Sequence, residues 1–252
     1  MLSVVIITFN EEKNIERCLA SVKGWVDEII VLDSFSTDAT VSIATEMGAK
    51  ISQQKFAGYI EQKNDALNLA TGDWVLCLDA DEAIDEQLKA SILQAIQQEK
   101  VLAFKMNRCT NYCGKFIKHG SWYPDRKLRL FKRELGKWGG INPHDEIIMS
   151  NAEAPSLLQG AILHYSYNTL EEHIQQNNKF STISALAYYN RGKKASWFKM
   201  IVNPCWAFLH GYIFKAGFLD GFEGYVIAKN VAHLTFLKYY KLYALHKGIP
   251  VK

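Results

Sequence analysis

The sequence predicts an α/β fold: an open, mostly parallel central sheet with helices on both faces, continued by a helical C-terminal subdomain. Three observations predict it. Leu2–Thr8 and residues 27–33 are nearly unbroken apolar, β-branched runs, as expected of strands buried on both faces of a parallel sheet. Each run is followed by a polar turn and a helical stretch before the next strand, the alternation that builds parallel sheets. A third apolar run, Trp74-Val75-Leu76-Cys77-Leu78, ends in Asp79-Ala80-Asp81-Glu82, which puts two carboxylates two positions apart where a strand leaves the sheet. With 252 residues, 48% hydrophobic and 22% charged, the chain has enough apolar material for a sizeable core and is neither disordered nor membrane-spanning in composition.

Taken in order, the first strand is followed by a helix opened by Asn10 and running to residue 22. The second strand leads through a turn at 34–38 to a helix at 39–47. A short strand at 49–52, a helix at 59–69 and the strand ending at Asp79 complete a βαβαβαβ series. With right-handed crossovers, ligands bind beyond the carboxyl ends of the strands. Thr8, Phe9, Asn10 and Glu11, then Asp33, then Asp79 and Asp81 all fall at such ends and are expected to converge on one crevice. In an extended strand Asp79 and Asp81 point the same way, giving an oxygen-rich site for a hard divalent ion that also takes water and phosphate oxygens. Acidic residues in this place also cap the next helix, and Glu82 and Asp85 suit that role.

No GxGxxG follows the first strand and there is no P-loop, which argues against a nicotinamide site or a P-loop ATPase. Five cysteines, an odd number, and a strand beginning at Leu2 lead us to expect a cytoplasmic protein without a signal peptide. Cys109 and Cys113 lack a second ligand pair for zinc and read as structural.

The segments VVIITFNEEKNIERCLASV, EIIVLDSFSTDAT, QKNDALNLATGDWVLCLDADE and PHDE resemble the successive motifs of the family 2 glycosyltransferases, which have the GT-A fold. Within that family the chain is most similar to lipopolysaccharide inner-core β-1,4-glucosyltransferases acting on heptose, through RLF, LHYSY and GFLDGFEGY. The resemblance implies residues 1–100 as the nucleotide-sugar-binding part, 101–168 as the acceptor-binding and catalytic part, and 169–252 as a helical C-terminal region. It implies inverting transfer of a hexose, glucose from UDP-glucose, to an inner-core heptose. Thr8, Phe9, Asn10, Glu11 and Asp33 would surround base and ribose, Lys63 would meet diphosphate or ribose, and Asp79 would meet ribose or sugar hydroxyls. Asp81 would bind magnesium or manganese, with His164 either completing the metal shell or serving as a hydrogen-bonded structural residue. The family pattern has His followed directly by Glu, whereas here Asp145 intervenes between His144 and Glu146; Asp145 is the expected base and Glu146 the alternative. Two other readings stand beside this one: transfer to a polyprenyl phosphate, and a non-catalytic protein that binds nucleotide sugars or membranes.

Between sheet and tail, strand-like runs at 101–108, 127–132 and 159–165 alternate with Gly-rich turns. Arg126, Lys127 and Arg129 are placed either to bind an anionic acceptor or the leaving diphosphate, or to flank a surface strand. Residues 139–143 read as a loop that delivers His144, Asp145 and Glu146.

The net charge of +3 is unevenly spread. From Arg191 onward there are ten Lys or Arg against Asp220 and Glu223, a surplus of +8, which leaves the first 190 residues at −5. This basic tail is rich in aromatics, among them Trp197, Phe198, Trp206, Phe214 and Phe222. It suits the anionic inner face of a membrane, or else the packed core of a helical subdomain or a homo-oligomer interface. No nucleic-acid reader motif accompanies it.

Overall fold

The computed structural model describes residues 1–98, 100–141, 144–151 and 154–251. They form two compact units, Met1–Arg108 with Asp125–Tyr165, and Cys109–Pro124 with Ser166–Lys252. Residues 109–124 thus belong with the C-terminal helices, while the rest of residues 101–165 belong with the N-terminal part.

The first unit opens with β1 (Leu2–Thr8), α1 (Ile15–Val22), β2 (Glu28–Asp33), α2 (Thr40–Glu46), β3 (Lys50–Gln53), α3 (Tyr59–Asn68) and β4 (Trp74–Asp79). It continues with β5 (Glu82–Ile84), α4 (Glu86–Ala95) and β6 (Ala103–Tyr112), whose last four residues pass into the second unit, where β7 (Lys115–Phe116) pairs with them. Back in the first unit come β8 (Asp125–Lys132), β9 (Gly136–Ile141), β10 (His144–Met149) and β11 (Ser156–Tyr167), whose last two residues again belong to the second unit. The main sheet has the order β3-β2-β1-β4-β8-β6-β11-β5. β1 lies parallel to both β2 and β4, in register Thr8 with Asp33 and Ile7 with Asp79, so the three strands end level with one another. β8 runs antiparallel to β4 and β6.

Both faces of the parallel part are apolar, as the unbroken runs require. Val4 and Ile6 pack with Ile15, Leu19, Leu76 and Leu88 on one side, while Val5, Ile30, Val75 and Phe131 pack together on the other. Each such side chain, fully buried, contributes roughly 1.5–3 kcal/mol.

Four differences from the sequence expectations have physical causes. The first helix begins at Ile15. Asn10 has a positive φ of 55° and spends its side chain on the Thr37 amide, so residues 10–14 form a turn. Strand β5 is three residues long, with no period to read, and exists because β11 pairs with it. The third concerns residues 139–146: apart from Asn142 and Pro143, which lie outside the described residues, they form no loop but belong to the β9–β10 hairpin. Glycines here mark close packing, since a Cβ on Gly136 would strike the Phe131 ring and one on Gly139 the Ile148 side chain. Finally, β6, β8 and β11 extend by two or more residues beyond the predicted runs. Asp85 caps α4 as expected, accepting from the Leu88 amide at 2.6 Å.

The second unit contains α5 (Leu170–Asn190), α6 (Trp197–Leu209), a π turn at His210–Phe214, a 3₁₀ turn at Gly217–Asp220, and α7 (Gly221–His246). α7 packs against both α5 and α6. Thr169 and Glu172 close a capping box at the start of α5. Tyr112, Trp122, Tyr167 and His173 form a ring cluster with centroids 4.9–5.9 Å apart. Asp220 is buried and accepts from the Lys118 and His119 amides. Cys109 is buried and Cys113 exposed, and all five cysteines are free thiols. Among the described residues no helix is long and apolar enough to cross a membrane.

Candidate active site

A cleft of about 1320 Å³ opens at the carboxyl ends of β1 and β4. Its position follows from the register that ends Thr8, Asp33 and Asp79 together. Among its lining residues are Thr8, Phe9, Glu11, Lys63, Asp79, Asp81, Arg126, Arg129, Asp145 and Glu146. Asn10, Asp33 and His164 are not part of the lining. The Asp33 carboxylate accepts from the Ser36 amide and from the Gln53 side chain, each at 2.9 Å, so it shapes the turn after β2.

The floor is an alternating chain of charges. Lys63, on α3, places its ammonium 2.8 Å from Asp145 Oδ2 and 3.0 Å from Asp79 Oδ1. Asp79 Oδ2 accepts from Arg129 Nη2 at 2.7 Å, and the same nitrogen reaches Glu82 Oε1 at 3.1 Å. Glu82 is 3.4 Å from Arg108, which is 2.8 Å from Asp125; Lys127 ends the series 3.1 Å from Asp125. Four acids and four bases alternate, so each charge taken from water meets an opposite one, the condition on which buried ions are tolerated. Burial by itself would raise the Asp79 carboxyl, but Arg129 and Lys63 overcome it and hold the group well below the usual carboxylate range. Burial would likewise lower Arg129, and Asp79 and Glu82 reverse that.

Arg129 therefore differs from the freely available anion binder that its sequence context allowed. It is 4% exposed, because an arginine on β8 beside β4 points into the sheet and meets Asp79 and Glu82 there. Its Nε and Nη1 are buried without hydrogen-bond partners, and the guanidinium lies 5.5 Å from the Trp138 ring centre. Arg126, three residues earlier on the strand, is exposed at the cleft.

Asp79 and Asp81 both line the cleft but take different partners. The strand ends at Asp79 and the chain turns before β5, so Asp81 faces His164 instead, with Nε2 3.1 Å from Oδ2. The Tyr165 amide donates to the Asp81 carbonyl at 2.9 Å and holds β11 to that turn. Among the described residues no three His, Cys, Asp or Glu side chains converge in a way that would hold an ion unaided. One carboxylate and one imidazole at the cleft edge nevertheless fit a divalent ion whose remaining positions go to water and phosphate oxygens. Glu11 also lines the cleft; burial raises its carboxyl, opposed by a hydrogen bond from Asn14 and reinforced by Asp81.

Trp138 went unread in the sequence. Its ring lies 4.3 Å under the Lys63 ammonium, and its backbone N–H and C=O both bond the Asn64 side chain at 2.9 Å, tying the hairpin to α3. The available signal was a tryptophan beside two glycines facing a helix that carries Lys63 and Asn64. Phe56 and Tyr59, edge to face at 5.1 Å, line the cleft as an exposed aromatic pair that also went unread. Asp145 is on β10, largely buried; Glu146, next to it, is exposed.

The glycosyl transferase family 2 model matches residues 3–152, more than half the chain and all of the cleft's lining up to Met149. The chain belongs to this family. An uncharacterized glycosyltransferase of Rickettsia typhi is 33% identical over 252 residues, covering 96% of this chain and 86% of its own length. The lipopolysaccharide core biosynthesis glycosyltransferase LpsC of Rhizobium meliloti is 27% identical, covering 97% of this chain and 93% of its own length. Among solved structures, a mannosyltransferase from Pyrobaculum calidifontis in complex with GDP-Man and Mn2+ superposes with a TM-score of 0.57 at 16% identity, covering 96% of this chain and 86% of that one. That likeness concerns the fold, which is GT-A with a helical C-terminal region.

Proposed function

We propose that this family 2 glycosyltransferase moves a hexose with inversion, glucose from UDP-glucose, onto a heptose of the lipopolysaccharide inner core. The observation that carries the catalytic part is Lys63, whose ammonium joins Asp79 and Asp145 across the cleft floor. The acceptor class is supported by the name of the Rhizobium meliloti relative. The donor lies over the strand ends, its base against Phe9 and Ser34, its diphosphate toward Arg126 and the Asp81 edge. Asp81 and His164 are the residues that would hold a magnesium or manganese ion, which when bound neutralises charge on the departing diphosphate.

Asp145 takes the proton of the acceptor hydroxyl as that oxygen bonds the anomeric carbon. On the opposite face the bond to the diphosphate breaks and its electron pair leaves with the nucleoside diphosphate. One displacement inverts the centre. Lys63 orients Asp145, and the pairing of Asp79 with the buried Arg129 makes the floor rigid, so no reorganisation is needed in the transition state. Arg129 contributes as this support, whereas Arg126 meets the anionic ligand.

A donor panel tests the reading. UDP-glucose with manganese should stabilise the protein against heat, by ~2.7 kcal/mol at a hundred times its dissociation constant, and should give a β-linked glucose on heptose-terminated core. Product on a polyprenyl phosphate in place of heptose would replace the acceptor assignment. Neither transfer nor hydrolysis of any nucleotide sugar would sink the enzyme reading.

A further inference from the structure

The second unit turns an apolar face outward. On α6 the side chains at the α7-facing positions include Met200, Asn203, Pro204, Ala207 and Phe208, none fully buried. The outward positions are Phe198, Ile201, Val202, Trp206 and Leu209, all exposed. A surface helix of a globular protein places polar residues there, but Lys199 is the one charge anywhere on α6. The face continues past the helix. Trp206 meets Phe214 of the π turn with ring centres 5.6 Å apart, and Phe218 links through Tyr212 and Tyr225 to Phe222. Trp197, Phe214 and Phe222 are 71%, 68% and 73% exposed. This is a contiguous aromatic patch of the kind that marks an interaction site.

We propose that this face, from α6 through the π and 3₁₀ turns to the start of α7, is a membrane-docking surface that lies in the interface of an anionic bilayer. Two features choose the occupant. A helix of 13 residues is ~20 Å long, too short to span hydrocarbon ~30 Å thick, so it lies in the interface plane. The charge around the patch has one sign: Lys193 and Lys194 precede α6, Lys215 follows the π turn, and Lys229 projects from α7, all exposed. The two acids of the tail are already engaged, Asp220 by the Lys118 and His119 amides and Glu223 by Lys115 at 2.9 Å. Two copies meeting through this face would bring two such basic rims together, whereas anionic headgroups neutralise them. The inference goes beyond the catalytic proposal and holds whichever sugar and acceptor the cleft takes.

Co-sedimentation of the full chain with phosphatidylglycerol-containing vesicles and with phosphatidylcholine vesicles, at low and high salt, tests it. Binding should favour the anionic vesicles and fall as salt rises, because the attraction is screened over roughly 8 Å at physiological ionic strength. Lys193→Glu with Lys194→Glu should weaken binding by more than tenfold, since each lysine near an anionic surface is worth about fivefold. Phe198→Glu with Ile201→Glu should weaken it as much while leaving the melting temperature unchanged, because both residues are exposed. Brominated acyl chains should quench tryptophan fluorescence of the parent and quench W197F/W206F less. Equal binding to both vesicle types, or variants that bind like the parent, would overturn the proposal. So would a dimer that binds no vesicle and is dissociated by the Phe198→Glu pair, which would assign the face to a second copy.

Discussion

The two units invert the usual distribution of side chains in opposite ways. In the first, charge lies inside: Asp79, Glu82 and Arg129 sit among the strands, paired in sequence from Asp145 to Lys127. In the second, apolar surface lies outside: no residue of α6 is buried, and the most exposed of its large apolar side chains are Trp197 and Phe198. Exposed apolar atoms are ordinary in small amounts, and it is the buried charge and the large apolar patch that carry information. Each inversion costs stability unless a ligand or a partner uses it. The first unit offsets its cost internally by pairing, so it is fixed before any ligand arrives. In the second, α7 covers one side of α6, and among the described residues the outward side stays exposed.

The comparison breaks most decisively at Asp145. If its carboxylate is the general base and not one more member of the ion-pair chain, Asp145→Asn should lower kcat and kcat/KM together by about 10²- to 10⁴-fold with donor affinity little changed. Glu146→Gln, on the exposed neighbour, should cost little. The opposite order in steady-state kinetics would move the base to Glu146, and full activity in both would favour an acceptor, such as a lipid phosphate, whose oxygen needs no activation.

A contrast along one strand sharpens the distinction between buried and presented charge. Arg129→Met leaves the buried Glu82 and the partly exposed Asp79 without the guanidinium between them, and should destabilise by ~3–5 kcal/mol. Arg126→Met, three residues away and exposed, should change stability by less than ~0.5 kcal/mol while weakening nucleoside diphosphate binding. Denaturant melts and titration calorimetry would separate the two; equal stability losses would show that the chain of pairs is not the structural unit described.

The parallel half of the first unit was legible because strands buried on both faces write themselves as continuous apolar runs: β1, β2 and β4 appear within a residue of the predicted runs. The crevice was legible for the same reason, since strand ends locate it. What the sequence hid depends on partners distant in the chain. Strand β5 needs β11, the β9–β10 hairpin needs Asn64 to clamp Trp138, and Arg129 reads as a surface arginine until β4 is laid beside β8. Asp79 and Asp81, one pair on paper, take different partners because the strand ends at Asp79 and Ala80-Asp81 form a turn that no periodicity announces. In the tail the aromatic and basic composition was plain, yet composition has no direction. Only the packing of α6 on α7 shows which side of α6 stays exposed.

The smallest effect concerns acid. In the first unit Glu28 is held at about 2, against burial that would raise it, by Lys50, Ser3 and Thr71. A depressed carboxyl lends stability that is present above its unfolded value near 4.5 and is lost only as pH falls toward 2. In the second unit burial lowers His173 to about 4, beneath Tyr112, Trp122 and Tyr167. Its unfolded value is near 6.5, so the unfolded chain gains a proton that the folded one refuses. The stability this group lends is present above pH 6.5 and is lost as pH falls from there to about 4. The full loss is roughly 3 kcal/mol at 1.36 kcal/mol per pH unit of displacement. The second unit should therefore loosen at a higher pH than the first, and hydrogen exchange followed residue by residue should show α5 and α7 losing protection while β1 and β4 keep theirs. His173→Phe removes the titrating group but keeps a ring in the cluster, at the cost of the 3.1 Å contact with the Tyr112 hydroxyl. That variant should be less stable at neutral pH yet nearly flat between pH 6.5 and 4. A slope as steep as the parent's would place the acid sensitivity of the helical unit somewhere other than His173.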